Sequence, residues 1–307
     1  MRRSAFLVCL LVVAAVAFAD PAAEDSRSAE PISVLYPQSV SSIPVLALLD
    51  AFADEYVGEV YTDHPQALAQ LLSNQVGILV TGYAVGYNRF QAAGDLVHLS
   101  TPVWGASAVM TSKPVDSLEG LAGGTIYAPF EGSPIDIYLR AVLDAEGLSN
   151  RVSIAYAPFP QAAALLTEGR TEAAVLVEPI ASQLEIAGTA YRLENLHEGW
   201  ARIADGEQRS PQVSVFARRE SFEDSQETFV SFSRSLEEMV ERVAADPARY
   251  AARYADVLGF PVPVVERALA NTLFDTPDPA EVPMLIEEYS AIIGARPPSD
   301  DFYAETR

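Results

Sequence analysis

The sequence predicts an α/β protein built as two similar lobes. Each lobe is a mostly parallel sheet flanked by helices, and a hinge joins the two. Three observations carry this prediction. From residue 31 onward, short β-branched or apolar runs alternate with helical stretches, the order that gives a parallel sheet covered by helices. The rhythm breaks at Ser112-Lys113-Pro114 and then restarts. After the loop at residues 205–211 comes one more strand and then only helices, as expected if the chain crosses back to its first lobe. The boundaries expected are residues 31–111 for the first lobe, 112–211 for the second, and 212–307 for the return strand and C-terminal helices of the first.

Residues 32–36 are β-branched and apolar between Pro31 and Pro37, and read as a strand. Residues 38–42 turn into an apolar helix at 43–52, with Pro44 in the first turn, where its missing N–H costs nothing. A strand at 57–61 leads to a helix at 65–72, whose apolar residues are Ala67, Leu68, Leu71 and Leu72. Residues 77–81 are an apolar strand of the kind covered on both faces, followed by a helix at 82–92. Strands follow at 96–99 and 106–111.

Beyond the break, 124–128 is a strand. Ser133 and Pro134 are a good N-cap and first helical residue, and Gly147 stops their helix. A strand at 152–156, a helix at 160–167 and a buried strand at 173–177 come next. Glu178-Pro179 opens a helix that ends near Gly188, and residues 191–196 are a strand. Residues 212–217 are the return strand. Phe222, Phe229, Phe232, Leu236, Met239, Val240 and Val243 then recur at helical spacing as one apolar stripe. Asp246-Pro247, residues 259–261 and Asp278-Pro279 punctuate three further helices, and the tail from Pro297 is expected to be loose.

Composition narrows the function classes. The 307 residues carry 42 acidic and 20 basic side chains, a formal charge of −22, with a single lysine, Lys113. Nucleic-acid binding needs clustered Lys and Arg and is excluded. One cysteine excludes a disulfide framework and a cysteine-based zinc site. Arg2 and Arg3, the apolar run at residues 5–18 and Ala17-Phe18-Ala19 describe a secretory signal peptide, with cleavage expected after Ala19 and an uncleaved N-terminal anchor as the alternative. Residues 20–30 are then a flexible leader. Cleavage would remove Arg2, Arg3 and Cys9, leaving 18 basic against 42 acidic residues, or −24, in a cysteine-free exported chain.

In open α/β sheets, ligands sit beyond the carboxyl ends of the strands. Four strand-to-helix turns therefore supply the candidate ligand-binding residues: Gln38 and Ser39; Thr81, Gly82 and Tyr83; Glu131, Gly132 and Ser133; and Glu178. Trp104 joins them from the approach to the first crossing. Helix N-termini in such turns offer unpaired N–H groups. No arginine lies in these turns, while Glu131, Asp136 and Glu178 do. Strong anions are usually clamped by arginine, so a neutral or cationic ligand with an aromatic or heterocyclic part is expected, stacking on residues such as Tyr36, Tyr83, Trp104 and Phe130. An oxyanion is the alternative. His64, His98 and His197 are isolated, and no nucleophile elbow or phosphate loop is present. No catalytic residue, metal or cofactor is expected.

The run Trp104-Gly105-Ala106-Ser107-Ala108-Val109-Met110, followed by Leu118-Glu119-Gly120-Leu121-Ala122-Gly123-Gly124-Thr125-Ile126, resembles the "SLEDLKGKTI" region of periplasmic substrate-binding proteins. Glu168-Gly169-Arg170-Thr171-Glu172-Ala173-Ala174-Val175, with Glu178-Pro179 after it, resembles their "L-x-x-G-x-V-D-A-A…E-P" stretch. The group most similar is the nitrate, sulfonate, taurine and thiamine-precursor binding proteins of ABC importers. The resemblance implies a two-lobed periplasmic-binding-protein fold of type II form, capture of a small molecule by hinge closure, and delivery by a monomer to a membrane permease. It also brings in an enzymatic relative, the pyrimidine-precursor synthases, whose cysteine cluster is absent here.

Overall fold

The computed structural model describes residues 30–304; the expected signal peptide and most of the leader lie outside the described residues. The described residues from Pro31 onward group as one compact unit. Their first stretch runs β1 (Ile32–Pro37), α1 (Ile43–Ala51), β2 (Tyr56–Tyr61), α2 (His64–Leu72), β3 (Ile78–Gly82), α3 (Tyr83–Ala93) and β4 (Leu96–Gly105). The second runs β5 (Ser107–Thr111), β6 (Thr125–Ala128), α4 (Pro134–Ala145), β7 (Ser153–Tyr156), α5 (Phe159–Thr167), β8 (Ala173–Val177), α6 (Ile180–Ile186), β9 (Tyr191–Asn195) and α7 (Leu196–Ala201). The third runs β10 (Val213–Arg218), α8 (Arg219–Asp224), α9 (Gln226–Ala245), α10 (Pro247–Leu258), α11 (Val262–Ala270), β11 (Leu273–Phe274) and α12 (Val282–Ile292).

The strands form two sheets. The first has six strands in the order β11-β4-β10-β3-β1-β2, and the second has five in the order β7-β6-β8-β5-β9. In each, the strand that has just crossed from the other lobe, β10 or β5, is inserted antiparallel among its neighbours. Alternation along the strands sends successive side chains to opposite faces. Val34, Ile78, Val80, Val215 and Ala217 meet the α9 stripe of Phe232, Leu236 and Val240 on one face of the first sheet. Leu35, Leu79 and Phe216 join Leu71 of α2 and Phe90 of α3 on the other.

Four features differ from the sequence expectation. The strand Ser107–Thr111, assigned to the first lobe, is paired with β8 and β9 in the second sheet, so the chain crosses at Ala106 and not at Ser112–Pro114. Strand β4 runs on past Leu99 to Gly105. Pro102 punctuates the sequence there, but the β10 ladder skips from Val103 to Ser100, a bulge at which proline's missing N–H is tolerated. Residues 196–201 form helix α7, with a reciprocal cap between Asn195 and Glu198. The tail is docked: Phe302 is fully buried against Phe90, His98 and Phe216, and the Ala304 N–H donates to the His98 carbonyl.

Candidate functional site

Strand direction fixes which edges of the two sheets face each other. Antiparallel β10 lies between β3 and β4, so those two strands run the same way as each other and as β1 and β2. Val213, the first residue of β10, pairs with Gly82 and Val103 at the carboxyl ends of β3 and β4. Both crossings therefore leave the first sheet at the carboxyl ends of its parallel strands. In the second sheet Ser107, the first residue of β5, pairs with Val177, the last of β8, and β6 runs parallel to β8. The turns after β1, β2 and β3 thus lie on the edge of one lobe joined to the edge of the other that bears the turns after β6 and β8.

Gln212 ties this junction together. Its N–H donates to Val103 O at 3.1 Å, and its carbonyl accepts the Tyr83 N–H at 3.0 Å. Its side-chain oxygen accepts the Ala106 N–H at 2.7 Å. The turn after β3 and the two crossings are thereby bonded to one residue. Beside it, Ser107, Pro134, Tyr138, Ser210 and Tyr289 help to line a cavity of about 20 Å³, room for one water. A chain of rings, Tyr83, Tyr289, Trp200 and Tyr138, links α3 to α4 through centroid separations of 5.9, 5.4 and 4.8 Å.

The expected site residues divide into two groups. On the first lobe, Gln38 is exposed and Ser39 caps the turn that follows it, accepting the Ser41 N–H at 3.3 Å. Thr81 is buried, with its hydroxyl 3.0 Å from His64 Nδ1, and Gly82 pairs with Val213. On the second lobe, Glu131 and Gly132 are exposed beside Phe130, itself 61% exposed. Gly132 has φ +74°, which glycine adopts without strain. Its N–H donates to Asp136 Oδ2 at 2.9 Å, and Ser133 Oγ accepts the Asp136 N–H at 3.1 Å. Asp136, 1% exposed, is also held by Arg140 and the Tyr156 hydroxyl, so it fixes the turn from behind.

Tyr83, Trp104 and Glu178 are buried, as are Thr81 and Ser133. Tyr83 is 2% exposed, stacked on Tyr87 and edge-on to Tyr289 and Phe302, inside the core and not in the cleft. Burial pushes its phenol far above the ordinary value. Trp104 is fully buried, with its indole N–H donating to Asp275 O at 3.2 Å. Glu178 is 2% exposed and forms an ion pair with Arg192 at 2.8 Å, while its second oxygen accepts the Ser182 N–H at 3.2 Å. Burial raises the Glu178 carboxyl above its usual range, and Arg192 and Ser182 pull it back.

Arg192 corrects the reading of the turns as free of arginine. It comes from β9, with no local signal to mark it, and strand order alone brings it to the end of β8. It is fully engaged: besides Glu178 it bonds Glu185 at 3.0 Å and Asn195 at 2.8 Å. Ser182 in turn accepts from Asn271 Nδ2, at the end of α11 in the first lobe, at 3.2 Å. Gln212 is the other residue at the junction that sequence reasoning did not single out. Among the described residues no group of His, Cys, Asp or Glu is placed to hold a metal ion, and no helix is long and apolar enough to cross a membrane.

No protein-family model matches the chain, and no curated protein does. Solved structures do. An ABC transporter protein from Parabacteroides distasonis is 18% identical with a TM-score of 0.74, over 91% of this chain and 100% of that one. The periplasmic aliphatic sulphonate binding protein of Escherichia coli is 16% identical with a TM-score of 0.69, over 87% of each chain. The alkanesulfonate-binding protein of Xanthomonas axonopodis pv. citri, solved bound to MOPS, is 21% identical with a TM-score of 0.66, over 86% of this chain and 91% of that one. The chain thus has the two-lobed fold of periplasmic binding proteins.

Proposed function

We propose that the chain is an exported solute receptor that captures a small molecule between its lobes and hands it, as a monomer, to the permease of an ABC importer. The observation that carries this reading is the convergence of the strand carboxyl ends of both lobes on one junction, around the crossings at Ala106 and at residues 210–212. The cavity beside that junction holds only a water, so a ligand enters when the lobes part about those crossings. Closure on the ligand is then a hinge motion driven by contacts to both walls. The signal-peptide pattern of residues 1–19 supports export.

The ligand is neutral or cationic with an aromatic or heterocyclic part. Arg192 is neutralised by Glu178 and Glu185, Glu131 stays exposed on the second lobe, and Phe130 offers an open ring beside it. The sulfonate-binding neighbours support a second reading, an oxyanion held by backbone N–H groups. Thermal unfolding in the presence of aromatic amines, nucleobases and sulfonates separates the two. A ligand at a hundredfold excess over its Kd stabilises by about 2.7 kcal/mol, an easily measured rise in Tm. The account expects that rise from the amines or nucleobases, with the compound recovered unchanged. A rise with sulfonates alone favours the second reading. If no compound raises Tm and none co-purifies, the receptor reading falls.

A further inference from the structure

The side-chain amide of Gln212, at the second crossing, has one orientation only. A backbone N–H donates and cannot accept, so the amide atom 2.7 Å from the Ala106 nitrogen is the oxygen, Oε1. Nε2 is then the donor end, and it lies 3.5 Å from Oγ of Ser107, the first residue of β5. The Gln212 backbone N–H and carbonyl are spent on Val103 and Tyr83. Nε2 is therefore the polar atom that Gln212 brings to the small cavity beside the junction, and Ser107 lines the same cavity.

The donors around this cavity outnumber the acceptors. An amide nitrogen donates and does not accept, so Ser107 Oγ is the acceptor in its contact with Nε2. Ser107 is 3% exposed, and its own hydroxyl hydrogen meets no acceptor among the described residues. The second hydrogen of Nε2 meets none either. The cavity, about 20 Å³, has room for one oxygen atom. Tyr138 and Tyr289 put aromatic rings in its wall, and none of the described residues lining it is charged. An anion there would be buried without a counter-charge, whereas a neutral acceptor satisfies the donors at no such cost.

We propose that this cavity is the subsite for a carbonyl oxygen of the ligand, which accepts hydrogen bonds from Gln212 Nε2 and the Ser107 hydroxyl. The inference rests on the receptor reading above and narrows its ligand to planar heterocycles that carry a ring carbonyl. Gln212 is bonded to the first sheet through Val103, and Ser107 belongs to the second sheet. A carbonyl held by both bridges the two lobes, the differential contact that closure requires. The Ala106 N–H positions the amide for it.

Cytosine and 4-aminopyrimidine share a ring and an amine, and only cytosine carries the ring carbonyl. Calorimetric titration of both, and of benzenesulfonate, into wild type, Ser107→Ala and Gln212→Glu tests the proposal. Gln212→Glu keeps an oxygen for the Ala106 N–H and puts an acceptor where Nε2 was; Ser107→Ala removes only the hydroxyl. Wild type is expected to bind cytosine about tenfold or more tighter than 4-aminopyrimidine. Each variant is expected to lose about tenfold for cytosine, with the affinity for 4-aminopyrimidine unmoved. A purely structural role at the crossing would weaken both compounds alike, and that result overturns the proposal. So do equal affinities of the two in wild type, cytosine binding that neither variant weakens, tighter binding of benzenesulfonate, or no response to any of the three. The receptor reading fails separately: it falls when nothing stabilises the wild type and nothing co-purifies. The carbonyl subsite alone falls when a ligand lacking a carbonyl oxygen binds wild type and Gln212→Glu equally.

Discussion

At the scale of single residues, the state of Glu178 depends on a partner that is distant in sequence, Arg192. Glu178 is visible as an acid at the end of a buried strand. Its counter-ion, Arg192, lies on a strand whose place in the sheet only the fold decides. The pair is almost wholly buried, with side-chain exposures of 0% for Glu178 and 11% for Arg192; removing Arg192 strands the Glu178 carboxylate, whereas Arg192 without Glu178 keeps Glu185. Arg192→Met is expected to lose about 3 kcal/mol in urea unfolding without ligand. The double variant Glu178→Gln/Arg192→Met is expected to recover part of that loss, a coupling that a cycle of the four proteins measures. Full additivity would show that the pair does not act as a unit.

His98 gives a pH dependence of defined sign. It is buried beneath Phe302 and bonded through Nε2 to Thr101 Oγ1 at 2.8 Å, and burial pushes its pKa down to about 3. Above pH 6.5 the ring is neutral in folded and unfolded chains, and the group contributes no slope. Between about 6.5 and 3 the unfolded chain binds a proton that the folded chain refuses, so this group makes stability fall as the pH is lowered, with a slope that approaches about 1.4 kcal/mol per unit inside that window. Urea unfolding of wild type and His98→Gln over pH 7 to 5 is expected to differ by that slope, with the variant flatter. Parallel curves would contradict the assignment.

At the scale of elements, most strands and helices were legible because period and punctuation agree. Gly147, with φ +70°, stops α4 where the sequence says it does, and the Ser133 cap is made. The misses share a cause: a tertiary partner overrides a local signal. Pro102 reads as a break, and the bulge opposite it lets β4 continue. The polar, proline-rich tail reads as loose, and Phe302 anchors it in the core of the first lobe. A tertiary contact also governs Gly86 within α3, where a Cβ would overlap the ring of buried Phe216 on β10. Gly86→Ala is therefore expected to destabilise by about 1–3 kcal/mol from overpacking, against a helix-propensity gain of about 1 kcal/mol. A stabilised variant in thermal unfolding would show that α3 does not press on β10 as described.

At the scale of the whole molecule, two sheets and a doubled α/β rhythm were legible, but the exact crossing was not. Ser107–Thr111 has the same β-branched and apolar character whichever sheet receives it, and only its pairing with β8 and β9 places it. That placement matters for function, because it sets Ala106 and Gln212 at the junction and turns the strand ends of the two lobes toward each other. The central claim is that this junction holds a small molecule. Native mass spectrometry of freshly purified protein, before and after mild denaturation, tests it most directly. The account predicts a folded chain carrying one small molecule, released on denaturation and intact. A folded chain at its bare mass, which also gains no adduct when mixed with the stabilising amines, nucleobases or sulfonates, would contradict it.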